Sequence, residues 1–332
     1  MKIGILGAGG WGTAIAILLQ KNKHNVTLWE YQKEYSHTLD EFRENFYFLP
    51  KVKIPKEIKI TNDIDIAIYK QDIILISTPT QFIRNVINEI KHIDLTNRII
   101  MSVSKGIENE TFMTVSDIFQ DVFLKIRKKN IVVLSGPSHA EEVARNAPTA
   151  VVAASIDTDN TKKIQKAFSN KFFRVYRSSD VKGVELGGAL KNIIAIAAGI
   201  SDGAGFGDNT KAAIMTRGSR EIMRLGLKLG AKENTFYGLS GIGDLIVTCE
   251  SKLSRNRFVG EEVGKGRKLN DVLSEMKMVA EGVATTRSTH ELAKKIHVEL
   301  PIIEQVHKVL FMGKNPHKAT EELMTRDLKS EH

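Results

Sequence analysis

Apolar residues follow two rhythms along this chain. In the first half they come in short consecutive blocks, such as Lys2–Leu6 (Lys-Ile-Gly-Ile-Leu) and Asn25–Trp29. Between those blocks, over residues 11–21, Ala14, Ile15, Leu18 and Leu19 recur at 3–4 spacing. Short apolar runs read as buried strands and 3–4 spacing as a helix with one apolar face. Together they predict a β-α-β unit, from which parallel sheets are built. Strand-like runs follow at Asp72–Ser77, Arg98–Val103 and Asn130–Leu134, each separated from the next by a helix-length segment. Ala150–Ala154 and Phe172–Tyr176 are further strands. Strands alternating with helices predict a doubly wound α/β sheet.

From about residue 181 the rhythm changes. Val181–Ser201 is rich in Ala, Gly, Leu and Ile at helical spacing. Thr210–Leu229, Arg257–Gly264, Leu269–Met276, Thr285–Lys295, Glu304–Leu310 and Lys318–Leu323 also read as helices, and no strand pattern appears. The expected organisation is a Rossmann-type dinucleotide-binding domain over 1–183 and an all-helical substrate domain over 184–332. No Pro/Ser linker separates them, so a packed interface is expected.

Composition agrees with two soluble globular domains. The chain has 332 residues, 42% hydrophobic and 26% charged. Its single cysteine, Cys249, allows no internal disulfide, which fits a reducing compartment. No apolar run reaches the roughly 18 residues of a membrane span, and the start carries no leader pattern. We expect a cytoplasmic protein without membrane insertion. The net charge of +9 is spread out, its longest cluster being Arg127-Lys128-Lys129. No nucleic-acid motif accompanies it, so no nucleic-acid partner is expected. A positive field suits an anionic small-molecule substrate and cofactor.

The first chemical signal is Gly7-Ala-Gly-Gly-Trp-Gly12, a G-x-G-x-x-G turn that follows a strand and opens a helix. Gly7 allows the tight turn, Gly9 admits a pyrophosphate, and Gly12 lets helix and strand pack closely. The phosphates meet the N–H groups and positive dipole of the helix start. Glu30, at the end of the second strand, can accept from ribose hydroxyls and repels a 2′-phosphate, which favours NAD with NADP as the alternative. Later strand ends, Ser77-Thr78-Pro79, Ser104-Lys105-Gly106 and Ser135–Ala140, are small polar turns suited to lining a crevice. In the helical half, Lys191 and Asn192 interrupt an apolar helix, which is unusual for a lysine unless it snorkels out or serves a purpose. Asp244 ends the Gly-rich turn Gly241-Ile-Gly-Asp244. Ser254-Arg-Asn-Arg257 offers hydroxyl, guanidinium and amide groups suited to a phosphate.

These strings, with Leu186-Gly-Gly-Ala-Leu-Lys-Asn192, Thr248-Cys249 and Glu281-Gly282, are collinear over residues 3 to about 315. The chain resembles the bacterial NAD(P)-dependent glycerol-3-phosphate dehydrogenases. The resemblance implies a 6-phosphogluconate-dehydrogenase-like fold, a homodimer, and interconversion of dihydroxyacetone phosphate and sn-glycerol 3-phosphate that feeds phospholipid synthesis. It implies Lys191 as the proton-transferring lysine, with Lys105 and Asp244 beside it. Gly136, Ser138, Ser254, Arg255 and Asn256 match substrate-contacting positions, as do the two lysines and Asp244. Gly10, Trp11, Tyr31, Lys105, Ala140, Arg255, Val279 and Glu281 match cofactor-contacting positions. Glu30-Tyr31 departs from the small residue plus basic residue often found there, and Ser138 replaces a common threonine. No metal is expected, since no His/Cys cluster has ligand spacing. A related β-hydroxyacid dehydrogenase acting on a carboxylate is the alternative enzyme. A non-catalytic NAD(H) sensor is the alternative class, and it would leave Lys191 and Asp244 without a role.

Overall fold

The computed structural model describes residues 1–328, 330 and 331. The first part runs β1 (Lys2–Leu6), α1 (Gly10–Lys21), β2 (Asn25–Trp29), α2 (Lys33–Phe42), β3 (Glu44–Asn45), β4 (Leu49–Lys53), β5 (Lys59–Thr61), α3 (Ile64–Ile68) and β6 (Ile73–Ile76). It continues with α4 (Thr80–Glu89), β7 (Ile99–Ser102), α5 (Val115–Val122), β8 (Ile131–Ser135), α6 (Ala140–Ala144), β9 (Thr149–Ala154), α7 (Thr158–Phe168) and β10 (Phe173–Ser178).

Eight of these strands form one sheet in the order β10-β9-β8-β7-β6-β1-β2-β5. Successive residues of a strand face opposite sides. On β6, Ile73 and Leu75 therefore join one apolar core while Ile74 and Ile76 join the other. A strand buried on both faces must be apolar throughout, which is why these runs stand out in the sequence. The pairing is parallel except between β8 and β9, which are antiparallel. A parallel return needs a helix that crosses back over the sheet. The link from β8 to β9 holds only the five-residue α6, so the chain turns back instead.

Residues 31–61 hold elements that the apolar pattern does not announce. The hairpin β3–β4 lies against the start of α1, and polar side chains hold it there. Buried Asn45 donates through Nδ2 to the Ala8 carbonyl at 2.8 Å and to Thr13 Oγ1 at 2.8 Å. Tyr35 in turn donates its hydroxyl to Asn45 Oδ1 at 2.6 Å.

The second part is helical, with no strand after Ser178 among the described residues. It comprises α8 (Val181–Gly203), α9 (Asp208–Lys228), α10 (Glu233–Phe236), a π turn at Leu239–Gly243, α11 (Asp244–Glu250), α12 (Arg255–Gly264), α13 (Leu269–Glu275), α14 (Glu281–Lys295), α15 (Pro301–Met312) and α16 (Pro316–Met324). Helix α8 is the hub. Its 23 residues are long and apolar enough to span a bilayer, contrary to the sequence reading, yet 94% of its most apolar window is buried in protein. It packs backbone to backbone on α12. A Cβ on Gly199 would stand 2.0 Å from the Arg257 carbonyl oxygen, one on Gly203 2.0 Å from that of Glu261, and one on Gly260 2.1 Å from that of Ile196. Only glycine fits at such an approach.

The junction between the two parts is pinned by Asp180. Its carboxylate caps α8 by accepting from the Gly183 N–H at 3.0 Å, and it accepts from the Lys232 N–H at 2.9 Å and the Thr235 hydroxyl at 2.6 Å. Asp180→Ala removes the cap and leaves the buried Gly183 N–H and the half-buried Thr235 hydroxyl without their partner. A loss of about 2–4 kcal/mol of stability is expected, read as a lower urea midpoint.

Candidate active site

The Gly-rich turn joins β1 to α1. Gly7 has a φ of +116°, a left-handed conformation that favours glycine. A Cβ on Gly12 would lie 2.0 Å from the Gly7 carbonyl oxygen, so helix and turn touch there. Gly9 differs: a Cβ there would meet nothing within 4 Å. It is the N-cap of α1 and has no side chain to cap the helix. The turn therefore leaves an open cradle in front of the free N–H groups of a 12-residue helix. Such a cradle fits a dinucleotide pyrophosphate. Gly10 and Trp11 form the first turn of α1, and Ala140 at the start of α6 comes within 3.7 Å of the Gly10 Cβ position.

Glu30 follows β2 and is 5% exposed, its Oε1 accepting from the Gln32 N–H at 3.1 Å. Burial pushes its carboxyl above the ordinary value, while the backbone N–H groups of Gln32 and Tyr31 pull the other way. Tyr31 lies outward, 68% exposed, and accepts a hydrogen bond from Gln32 Nε2.

The carboxyl ends of β7 and β8 face the middle of α8. Here the structure brings together three of the residues singled out in the sequence. Asp244 is 1% exposed and its two oxygens are divided between two lysines. Oδ1 accepts from Lys191 Nζ at 2.9 Å and Oδ2 from Lys105 Nζ at 2.7 Å. Lys191 also donates to Thr248 Oγ1 at 2.6 Å, and Lys105 to the Gly136 carbonyl at 3.0 Å. Lys191 is 6% exposed, so it does not snorkel to solvent. Burial pushes its ammonium down to about 8; Asp244 opposes that fall and the positive charge of Lys105 adds to it. Burial also pushes the Asp244 carboxyl up, but the two lysines outweigh it and hold the group below its ordinary value. The π turn Leu239–Gly243 delivers Asp244 to this spot. A Cβ on Gly241 would be 2.1 Å from the Phe236 carbonyl oxygen, which explains the glycine. Single π turns recur at functional sites.

The string Ser254-Arg-Asn-Arg257 is divided by the helix it begins. Ser254 caps α12 by accepting from the Arg257 N–H at 3.2 Å. Asn256 points inward, donating to Asn192 Oδ1 at 2.9 Å and accepting from the Gly282 N–H at 2.9 Å. Asn192 donates to the Lys105 carbonyl at 3.1 Å, so this chain of amides orients the lysine's backbone. Arg257 is committed to Asp202 at 2.6 Å and Glu261 at 3.2 Å. Arg255 is exposed, with no ion-pair partner among the described residues. Ser138 keeps its proton within its own turn, donating to the Gly136 carbonyl at 2.8 Å.

Val279 is 47% exposed, in the segment before α14. Glu281 reaches from α14 to the start of α4 and accepts from the Thr80 N–H at 2.8 Å and hydroxyl at 2.9 Å. Thr80 and Thr248 carry bonds at the site that sequence reasoning did not assign. Thr248 had a signal, its four-residue spacing from Asp244 on a helix. Thr80, paired with a residue 201 positions away, had none.

Known proteins bear on the whole chain. Residues 2–161 match the family described as NAD-dependent glycerol-3-phosphate dehydrogenase N-terminus, and residues 180–321 match its C-terminus. Glycerol-3-phosphate dehydrogenase [NAD(P)+] of Geobacter sp. (strain M21) is 50% identical over 330 residues, 99% of this chain and 98% of the relative. The protein of that name from Fusobacterium nucleatum subsp. nucleatum is 48% identical over 331 residues, 100% of this chain and 98% of the relative. The crystal structure of glycerol-3-phosphate dehydrogenase from Coxiella burnetii superposes with a TM-score of 0.94 at 36% identity, covering 98% of this chain and 99% of that one. With both halves matched in order and these three relatives aligned almost end to end, this chain belongs to the NAD-dependent glycerol-3-phosphate dehydrogenase family.

Proposed function

We propose that the chain catalyses reversible hydride transfer between NAD(P)H and dihydroxyacetone phosphate, giving sn-glycerol 3-phosphate. The observation that carries this reading is the buried trio in which Asp244 holds Lys191 and Lys105 side by side. A reduced nicotinamide supplies the hydride. The chain supplies what a ketone reduction needs besides it. Lys191 gives a proton from Nζ to the oxygen that becomes a hydroxyl, and takes it back in the reverse direction. The Lys105 ammonium adds positive charge where that oxygen turns negative. Asp244 orients both lysines. Arg255, the uncommitted guanidinium of its string, binds the phosphate and aligns the ketone. We place the division between nucleotide-binding and substrate domains at residues 183 and 184. The resemblance also supports a cytoplasmic homodimer whose product feeds phospholipid synthesis.

The reading is tested by following NADH and NADPH oxidation with dihydroxyacetone phosphate and with a panel of keto acids. Turnover of the phosphorylated ketone is expected, with the lower KM for NADH because of Glu30. Exclusive turnover of a keto acid would overturn the substrate assignment, and a lower KM for NADPH would overturn the role of Glu30.

The ammonium form of Lys191 is required for reduction and the neutral amine for oxidation. As pH rises through about 8, kcat/KM for ketone reduction should fall and that for sn-glycerol 3-phosphate oxidation should rise. Lys191→Ala should lower kcat by about 100-fold or more and remove this inflection. A variant with near-normal kcat would take Lys191 out of the chemistry.

The cradle at Gly9 offers a separate check. Gly9→Val places its side chain in open space and should leave the thermal midpoint unchanged while abolishing NADH fluorescence enhancement. Gly12→Val, driven into the Gly7 carbonyl, should lose stability as well.

A further inference from the structure

The segment Gly136–Ala140 is where the two halves of the site meet. Its Gly136 carbonyl receives Lys105. Pro137 Cδ stands 3.9 Å from the Cβ position of Gly243 in the π turn, and Ala140 Cβ 3.7 Å from that of Gly10 in the dinucleotide turn. His139 lies within this segment, close enough to both Lys191 and Lys105 for their charges to act on its ring.

The His139 Nε2 atom is buried and has no hydrogen-bond partner among the described residues. Such an atom is costly in a folded protein and calls for an explanation. The neighbouring hydroxyls do not satisfy it. Ser138 is turned to the Gly136 carbonyl. Ser135 Oγ is packed toward α8, where a Cβ on Gly188 would stand 2.4 Å from it. Burial first, then the charge of Lys191 and the weaker effect of Lys105, hold the His139 ring below its ordinary pKa, against the opposing pull of Glu141 and Glu142. A neutral imidazole has one donor and one acceptor nitrogen. The nearby charges of Lys191 and Lys105 favour the tautomer that carries its lone pair on the buried Nε2.

In the proposed reaction the lysines serve the ketone oxygen and Arg255 the phosphate. One polar group of dihydroxyacetone phosphate is left, the free hydroxyl on the carbon next to the ketone. Resting on that reading, we infer that His139 is a specificity-determining residue whose Nε2 accepts a hydrogen bond from this hydroxyl. The protein would thereby select α-hydroxyketone phosphates over simple ketone phosphates.

Hydroxyacetone phosphate tests this directly, because it differs only by a methyl group in place of the hydroxymethyl. The native protein should prefer dihydroxyacetone phosphate in kcat/KM by about 10- to 100-fold. His139→Phe should reduce that ratio to about 1–3 by lowering activity on dihydroxyacetone phosphate alone. The ratio is unaffected by any unfolded fraction of the variant. An unchanged ratio in His139→Phe, or a rise in KM for NADH in place of the substrate effect, overturns the inference. So does a native protein that shows no preference, a result that needs no variant. A native protein that reduces neither ketone would instead overturn the proposed reaction.

Discussion

The close contact between α8 and α12 fixes the frame on which the site is built. Gly199, Gly203 and Gly260 let two helices meet through their backbones, and a methyl group at any of them would drive into a carbonyl. Lys191, near the middle of the same helix, is buried together with its charge. An ammonium so buried is tolerated only with partners. Asp244 and Thr248 are those partners, and both come from α11, which packs on the same helix. Helix α8 thus carries both the tight packing of the helical part and the lysine of the site.

Asp244 cannot be understood from either lysine alone. One carboxylate between two ammonium groups leaves an excess of one positive charge in a largely buried place. Burial and Lys105 make the Lys191 proton easier to lose, while Asp244 keeps the group from losing it outright. The balance leaves a lysine near 8, able to act as acid or base close to neutral pH. The unbalanced charge is also what an anionic substrate, or an oxygen turning negative, would meet. The wide π turn before α11 is the backbone's share of this arrangement, and Gly241 is its condition.

Much of this was legible in the sequence, for identifiable reasons. β1, β6 and β8 are buried on both faces, so their composition alone marks them. The Gly7–Gly12 turn was readable because Gly7 and Gly12 answer separate steric demands and Gly9 keeps the cradle open. Lys191 and Asp244 stood out as charges in apolar or glycine-rich settings. The hairpin β3–β4 did not, because it is held by Asn45 and Tyr35 rather than by an apolar rhythm. Nor could sequence show that Ser254, Asn256 and Arg257 would turn to three different tasks once a helix separated them. The reversal at β9 depends on a helix too short to cross the sheet, and strand composition carries no record of direction.

The site is also the seam between the two domains, and its bonds serve both purposes. Lys105 comes from the end of β7 and Lys191 from α8, so the carboxylate of Asp244 joins the sheet to the helices. The amide chain from Gly282 through Asn256 and Asn192 to the Lys105 carbonyl makes a second tie, and Glu281 with Thr80 a third. These ties consist of polar bonds whose strength depends on exclusion of water. A change that loosens the domains would wet the trio and return Lys191 toward the pKa of a free lysine. Domain packing and proton affinity are therefore one property here: the interface that shapes the cleft is also what lowers the proton affinity of its lysine.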